Sequence, residues 1–139
     1  MTREVRKMDE LERLFERFCE KADSVEWVYK NGDSGQQYLS IVYVNGIRKQ
    51  CLFYPDYIIK TTDGNIWIIE TKGGMQAGHT KNIDRQVENK FNAFKEYAKK
   101  YNLHWGFVRD IDEELYINNT IYTEDMSGDN WISLDDVLK

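Results

Sequence analysis

The stretch from Phe53 to Gly74 constrains the fold of this chain more than any other part of its sequence. Two runs rich in apolar and β-branched residues, 53–60 and 66–72, flank the cluster Asp63-Gly64-Asn65. Runs of this kind around a Gly/Asn/Asp cluster are typical of two β-strands joined by a tight turn. The sequence therefore predicts a β-hairpin here.

Charged residues interrupt both predicted strands. Asp56 follows Pro55, the one proline of the chain, and Glu70 and Lys72 lie two residues apart, so both leave the same face of their strand. Because a hairpin places its strands side by side, we expect Asp56 to approach Glu70 and Lys72. Two carboxylates and an ammonium group are costly to hold on a hydrophobic sheet unless a divalent cation joins them. We expect a hard cation such as Mg²⁺, which prefers oxygen ligands.

The spacing of these residues resembles the signature of a known family. Pro55-Asp56, thirteen intervening residues and then Glu70-Thr71-Lys72 resemble the PD-(D/E)XK nuclease motif. The sequence around this motif, with Asp63-Gly64 and Gly73-Gly74, resembles more narrowly the C-terminal endonuclease domain of type III restriction enzyme Res subunits. The resemblance extends from about Glu12 to Leu138. It implies an α/β fold with a restriction-endonuclease-like core, in which helices flank a mixed central β-sheet, and makes residues 1–139 one nuclease-like domain, a fragment of a larger Res subunit.

The same resemblance implies an activity and partners. It implies a Mg²⁺-dependent endodeoxyribonuclease, with Mn²⁺ able to replace Mg²⁺. Asp56, Glu70 and the carbonyl of Thr71 would bind the metal, and Lys72 would orient or deprotonate the attacking water. The implied partners are DNA, a helicase/ATPase domain and a modification (methyltransferase) subunit. The alternative is a catalytically silent, nuclease-like module that docks onto a larger machine or clamps DNA.

A first helix adds an acidic candidate. The 3.6-residue period predicts a helix over 8–22 whose buried stripe contains Leu11, Leu14, Phe15, Phe18 and Ala22. Glu12 lies at the edge of this stripe, and the resemblance favours it over Glu16 as an additional acid of the metal site. A solvated helix face is the alternative reading. Lys30, at the end of the following strand, is interpreted as a solvated lysine, with contact to a phosphate as the alternative.

A second helix adds a basic candidate. The period predicts a helix over 82–101 with a buried stripe of Ile83, Val87, Phe91, Phe94, Ala98 and Tyr101. Lys90 lies inside that stripe, so its ammonium group must either reach the surface or meet an acid. The resemblance favours a role for Lys90 at the active site. The roles of Gln86 and of His79 are left open.

Further elements follow from local patterns. Strands are predicted over 25–31, 38–44, 47–53, 103–108 and 115–122, with a turn at Asn45-Gly46 and an acidic turn over 109–114. A closing helical turn is predicted over 131–138, with Ser133 as its N-cap.

Composition limits the classes of function. The length of 139 residues predicts a single domain. The sequence lacks both an apolar run approaching the ~20 residues of a membrane span and a signal peptide, so we expect no membrane association and a cytoplasmic location. Cys19 and Cys51 lack metal-type spacing and are predicted to be reduced, buried thiols.

The charge of the chain bears on its expected contacts with DNA. The net charge of −5 argues against a free-standing, tight DNA binder, because contacts from Lys and Arg to phosphate supply most non-specific affinity. Much of the affinity for DNA is therefore expected elsewhere. The sequence has no G-x-x-x-x-G-K-[ST] loop to bind ATP phosphates.

Overall fold

The computed structural model describes residues 10–31, 40–44, 49–72, 81–123, 126 and 128–138. Its elements in chain order are α1 (Glu10–Lys21), β1 (Val25–Lys30), β2 (Ile41–Val44), β3 (Gln50–Phe53), β4 (Tyr57–Thr61), β5 (Ile66–Thr71), α2 (Lys81–Tyr101), β6 (His104–Ile111), β7 (Glu114–Asn118), β8 (Ile132–Ser133) and α3 (Leu134–Val137). No helix within these described ranges has the length and apolar character that crossing a bilayer requires.

Six of the strands form a mixed sheet in the order β1-β4-β5-β6-β7-β8. β5 and β6 are parallel, and the other neighbouring pairs are antiparallel. Parallel neighbours need a long crossover connection, and α2 lies in that connection. β2 and β3 form a separate antiparallel pair, and β2 packs against α2. The predicted α/β fold with a mixed central sheet is confirmed.

The strict alternation of side chains along the sheet divides the core into two layers. Tyr57 and Ile59 of β4 pack with Phe15 of α1 on one face. On the other face, Ile68 of β5 packs with Phe91 of α2. Because successive side chains of a strand point to opposite faces, Glu70 shares the α2 face with Ile68.

The hairpin and both long helices agree with the sequence predictions. β4 and β5 pair around the turn at residues 62–65, where Gly64 adopts a φ of +92°, a conformation that costs glycine little. α1 and α2 occupy the predicted segments. Tyr101 is an exception, because 53% of it is exposed and it does not belong to the buried stripe of α2. The predicted Asn45-Gly46 turn lies outside the described residues.

The predicted acidic turn over 109–114 is wrong in its first half. β6 continues to Ile111, pairing residue by residue with β7, and Arg109 is 98% buried in this strand with its guanidinium 5.7 Å from the centre of the Trp131 ring. The turn itself is only Asp112-Glu113, with φ values of +50° and +71°. Local composition indicated a loop because charged residues dominate 109–114, whereas the burial of Arg109 depends on Trp131, which is remote in sequence.

The closing segment differs slightly from its prediction. Ile132 and Ser133 form β8 before α3 begins. Ser133 occupies the N-cap position, but its side chain makes no capping hydrogen bond. The strand predicted over 115–122 ends at Asn118, where the side chain of Asn118 accepts from the backbone N–H of Thr120 at 2.9 Å.

Candidate metal-binding site

Strand register brings the two predicted acids together. Tyr57 pairs with Ile69 and Ile58 with Ile68, so one further step of the same antiparallel register sets Asp56 opposite Glu70. The carboxylate of Asp56 is held by Thr71, whose backbone N–H and side-chain hydroxyl both donate to Oδ2, at 2.9 and 2.6 Å. Thr71, which the resemblance offers only as a carbonyl ligand, therefore fixes the orientation of Asp56.

Glu70 carries an unsatisfied buried oxygen. Its side chain is partly accessible, but Oε1 is shielded from solvent and has no hydrogen-bond partner among the described residues. Burial raises the pKa of Glu70 well above its ordinary value, and the negative charge of Asp56 raises it further. In the absence of a cation, this carboxyl pair therefore favours retaining a proton.

Lys90 is the cation that the fold brings toward this pair. Its positive charge lowers the pKa of Glu70, in opposition to the effects of burial and of Asp56. The ammonium nitrogen also lies 5.7 Å from the centre of the Phe53 ring, within cation–π distance. This influence on Glu70 is compatible with the expectation that the head of Lys90 meets an acid, and its role at the active site stays a prediction.

Lys72 continues the strand that carries Glu70. Its backbone N–H donates to the carbonyl of Val108 at 2.9 Å, which extends the pairing of β5 with β6 by one residue. Alternation then places Lys72 on the same face as Glu70, and its side chain is half-buried.

The acids of α1 belong to a second polar cluster on the opposite face of the sheet. Glu12 is 95% buried, and its Oε1 lies 3.6 Å from Nζ of Lys30. Glu16 lies 4.0 Å from the same nitrogen and accepts a 2.5 Å hydrogen bond from the hydroxyl of Tyr57. Burial, this hydrogen bond and the charges of Glu16, Glu12 and Asp56 all raise the pKa of Tyr57. The interpretation of Lys30 as a solvated lysine is wrong, since both helix acids hold its ammonium group.

The sequence predictions for the helix acids are met in part. Glu12 is buried at the edge of the apolar stripe, as its position on the helical wheel indicates, and its contribution to a metal site stays a prediction. Sequence reasoning missed Tyr57 and the hydroxyl of Thr71. A tyrosine in a buried strand position is a signal that could have been used, because its hydroxyl needs a polar partner.

Of the remaining candidates, only the side chain of Cys19 lies within the described residues. Cys19 is buried and not in a disulfide; burial, and to a smaller extent the charge of Glu16, raises the pKa of its thiol to about 12. This confirms the prediction of a reduced, buried thiol at that position. The side chains of Cys51, Gln86 and His79 lie outside the part of the chain that is described.

The residues of the site suit a hard cation that takes only some of its ligands from the protein and the rest from water. In the described segments, no three His, Cys, Asp or Glu side chains converge in a group suited to hold a metal. Asp56 and Glu70 instead offer two carboxylates, and Mg²⁺ is commonly bound through one or two carboxylates while it keeps several waters. The unpartnered Oε1 of Glu70 is the kind of atom that such an ion would satisfy.

Comparisons with known proteins add no further assignment. No family model matches the chain, and neither the curated proteins nor the solved structures contain a match. What can be inferred about function therefore comes from the residues and their geometry.

Proposed function

We propose that this chain is the DNA-cleaving domain of a type III-like restriction enzyme, a Mg²⁺-dependent endonuclease with a restriction-endonuclease-like core. The observation that carries the proposal is the carboxyl pair of Asp56 and Glu70, in which Oε1 of Glu70 is buried and lacks a hydrogen-bond partner in the described structure. A buried acid without a partner is costly, and a divalent cation would offset that cost. The motif spacing supplies the link to nucleases.

Each residue of the candidate site has a proposed role in phosphodiester hydrolysis that follows from its position. Bound Mg²⁺ supplies charge neutralisation of the scissile phosphate and activation of water. Asp56 and Glu70 hold the ion together with the carbonyl of Thr71. Lys72, on the same face as Glu70, orients or deprotonates the attacking water. Lys90 tunes the charge of Glu70 or contacts the phosphate.

The partners in this proposal come from the resemblance to type III restriction enzymes, and the charge of the chain is compatible with them. The chain carries 19 Lys and Arg against 24 Asp and Glu, so its own surface offers little net attraction to DNA. A helicase/ATPase domain and a methyltransferase subunit would supply most of the DNA contacts and the sequence specificity. In this proposal the enzyme works in the cytoplasm.

One observation favours the second candidate, a silent docking module. Val42 of β2 and Leu52 of β3 pair directly, and 54% and 55% of these residues are exposed. Neighbouring exposed apolar residues on one face of a strand pair suit contact with another protein. This surface is compatible with an active nuclease that also docks, so cleavage and metal binding decide between the candidates.

The experiment measures metal binding and DNA cleavage by the same protein samples. We compare wild type, Asp56→Ala, Glu70→Gln and the control Asp136→Ala, which changes an exposed acid of α3. Calorimetric titration with Mn²⁺ and nicking of supercoiled plasmid in Mg²⁺ or Mn²⁺ should both fail in the first two variants. Circular dichroism establishes that each variant is folded.

Three results have different meanings. Metal binding and nicking that depend on Asp56 and Glu70 support the endonuclease. Metal binding by wild type without nicking at high protein concentration supports the silent module. No Mn²⁺ binding by the folded wild type refutes the metal site and the nuclease with it.

A further inference from the structure

Asn31 contacts the backbone on both sides of the Cα atom of Asp56. It follows directly after β1, whose last residue, Lys30, pairs with Tyr57. The backbone N–H of Asn31 donates to the carbonyl of Asp56 at 2.8 Å, and its side-chain Nδ2 donates to the carbonyl of Pro55 at 3.0 Å. One residue thus binds two successive carbonyl groups.

These two bonds matter because this segment lies between strands. β3 ends at Phe53 and β4 begins at Tyr57, so Asp56 precedes the regular ladder of the hairpin. Proline lacks an N–H and fixes only its own φ, so it adds no donor that could anchor the segment. The contacts of Asn31 therefore help to set the direction in which Asp56 leaves the backbone.

Asp56 is consequently held from two sides. Asn31, at the end of β1, binds its backbone, and Thr71, at the end of β5, binds its carboxylate through Oδ2. Both constraints act just before β4 begins, at the position that the strand register sets opposite Glu70. Functional groups need to be held within about 0.5 Å of their productive geometry.

We infer that Asn31 is a positioning residue for the cation site, and that its side-chain amide sets the placement of Asp56 against Glu70. The inference rests on the proposed function, because it assumes that these two acids bind a divalent cation. Asn31 itself donates to carbonyl groups and is not a ligand. Two bonds from Asn31 orient the segment more narrowly than its backbone N–H would alone.

The test compares Asn31→Leu with Asn65→Leu. Leucine has nearly the shape of asparagine but cannot donate to Pro55. Asn65 serves as the control. It is an exposed asparagine in the turn between β4 and β5, and its side chain bonds to Asp63. Mn²⁺ is titrated into each protein well below its unfolding temperature, and thermal unfolding is recorded separately. Asn31→Ala serves as a second variant that removes the amide without adding an apolar group.

We expect Asn31→Leu and Asn31→Ala to bind Mn²⁺ about tenfold more weakly with unchanged stoichiometry, as is usual when a residue that supports a metal ligand is lost. Asn65→Leu should keep the wild-type affinity even if its unfolding temperature falls. Nicking by the Asn31 variants should recover at higher Mn²⁺ concentration.

Other results overturn the inference. Unchanged Mn²⁺ affinity in folded Asn31 variants refutes the positioning role and leaves the proposed function intact. Failure of both variants to fold refutes it in favour of a purely structural role. Absence of Mn²⁺ binding by wild type refutes the positioning role together with the proposed function.

Discussion

Replacing Glu70 with glutamine removes the least solvated titrating group of the candidate site. Burial and the neighbouring Asp56 raise the pKa of Glu70 well above its ordinary value of about 4.5 in the folded protein. The folded state therefore retains a proton that the unfolded state releases. The resulting stability is fully present below about pH 4.5 and is lost as the pH rises through the folded-state pKa.

The magnitude follows from proton linkage. Between the two pKa values, one proton of difference changes the free energy of unfolding by ~1.4 kcal/mol per pH unit. Between the two pKa values, the metal-free wild type should therefore lose stability relative to Glu70→Gln, which does not titrate, by up to ~1.4 kcal/mol per pH unit.

The assay is urea unfolding in EDTA at several pH values. Glu96→Gln is the control, because Glu96 is an exposed glutamate of α2. The difference in unfolding free energy between Glu70→Gln and wild type should grow in favour of the glutamine variant as the pH rises. Adding Mg²⁺ at pH 7 should stabilise wild type and leave Glu70→Gln unchanged. Parallel pH profiles for wild type and Glu70→Gln would refute the buried-acid reasoning.

Three further changes test other parts of the structure. In Gly106→Ala, the new Cβ would lie 2.4 Å from the side chain of Ile117, so we expect a loss of about 1–3 kcal/mol in urea unfolding, smaller in an Ile117→Ala background. The double change Asp112→Asn with Glu113→Gly suits the two positive φ values of the β6–β7 turn and should stabilise the protein by about 1 kcal/mol. An unchanged midpoint of urea unfolding would contradict this expectation. Thr71→Val removes the hydroxyl that donates to Asp56 and should weaken Mn²⁺ binding in a calorimetric titration, while equal affinity would show that the backbone N–H suffices.

The sequence predicted the local elements of this protein well where periodicity was strong. The stripes of α1 and α2 and the hairpin around Gly64 were readable because each depends on residues close together in the chain. The sequence analysis placed Arg109 in a turn, whereas it lies in β6. Pairing with β7 extends that strand, and the Trp131 ring packs against the guanidinium of Arg109. Tyr101 fitted the helical period, yet it is exposed, because a periodic pattern does not show where the opposing surface ends.

For the candidate site, the sequence by itself determined which acids can meet. A tight turn of fixed length sets the register of β4 and β5, and that register sets Asp56 opposite Glu70. Only the tertiary structure decided how Asp56 is held, because Asn31 after β1 binds its backbone and Thr71 of β5 binds its carboxylate. It also decided that Lys30 pairs with Glu12 and Glu16, since burial on the α1 face joins charges that no sequence spacing relates.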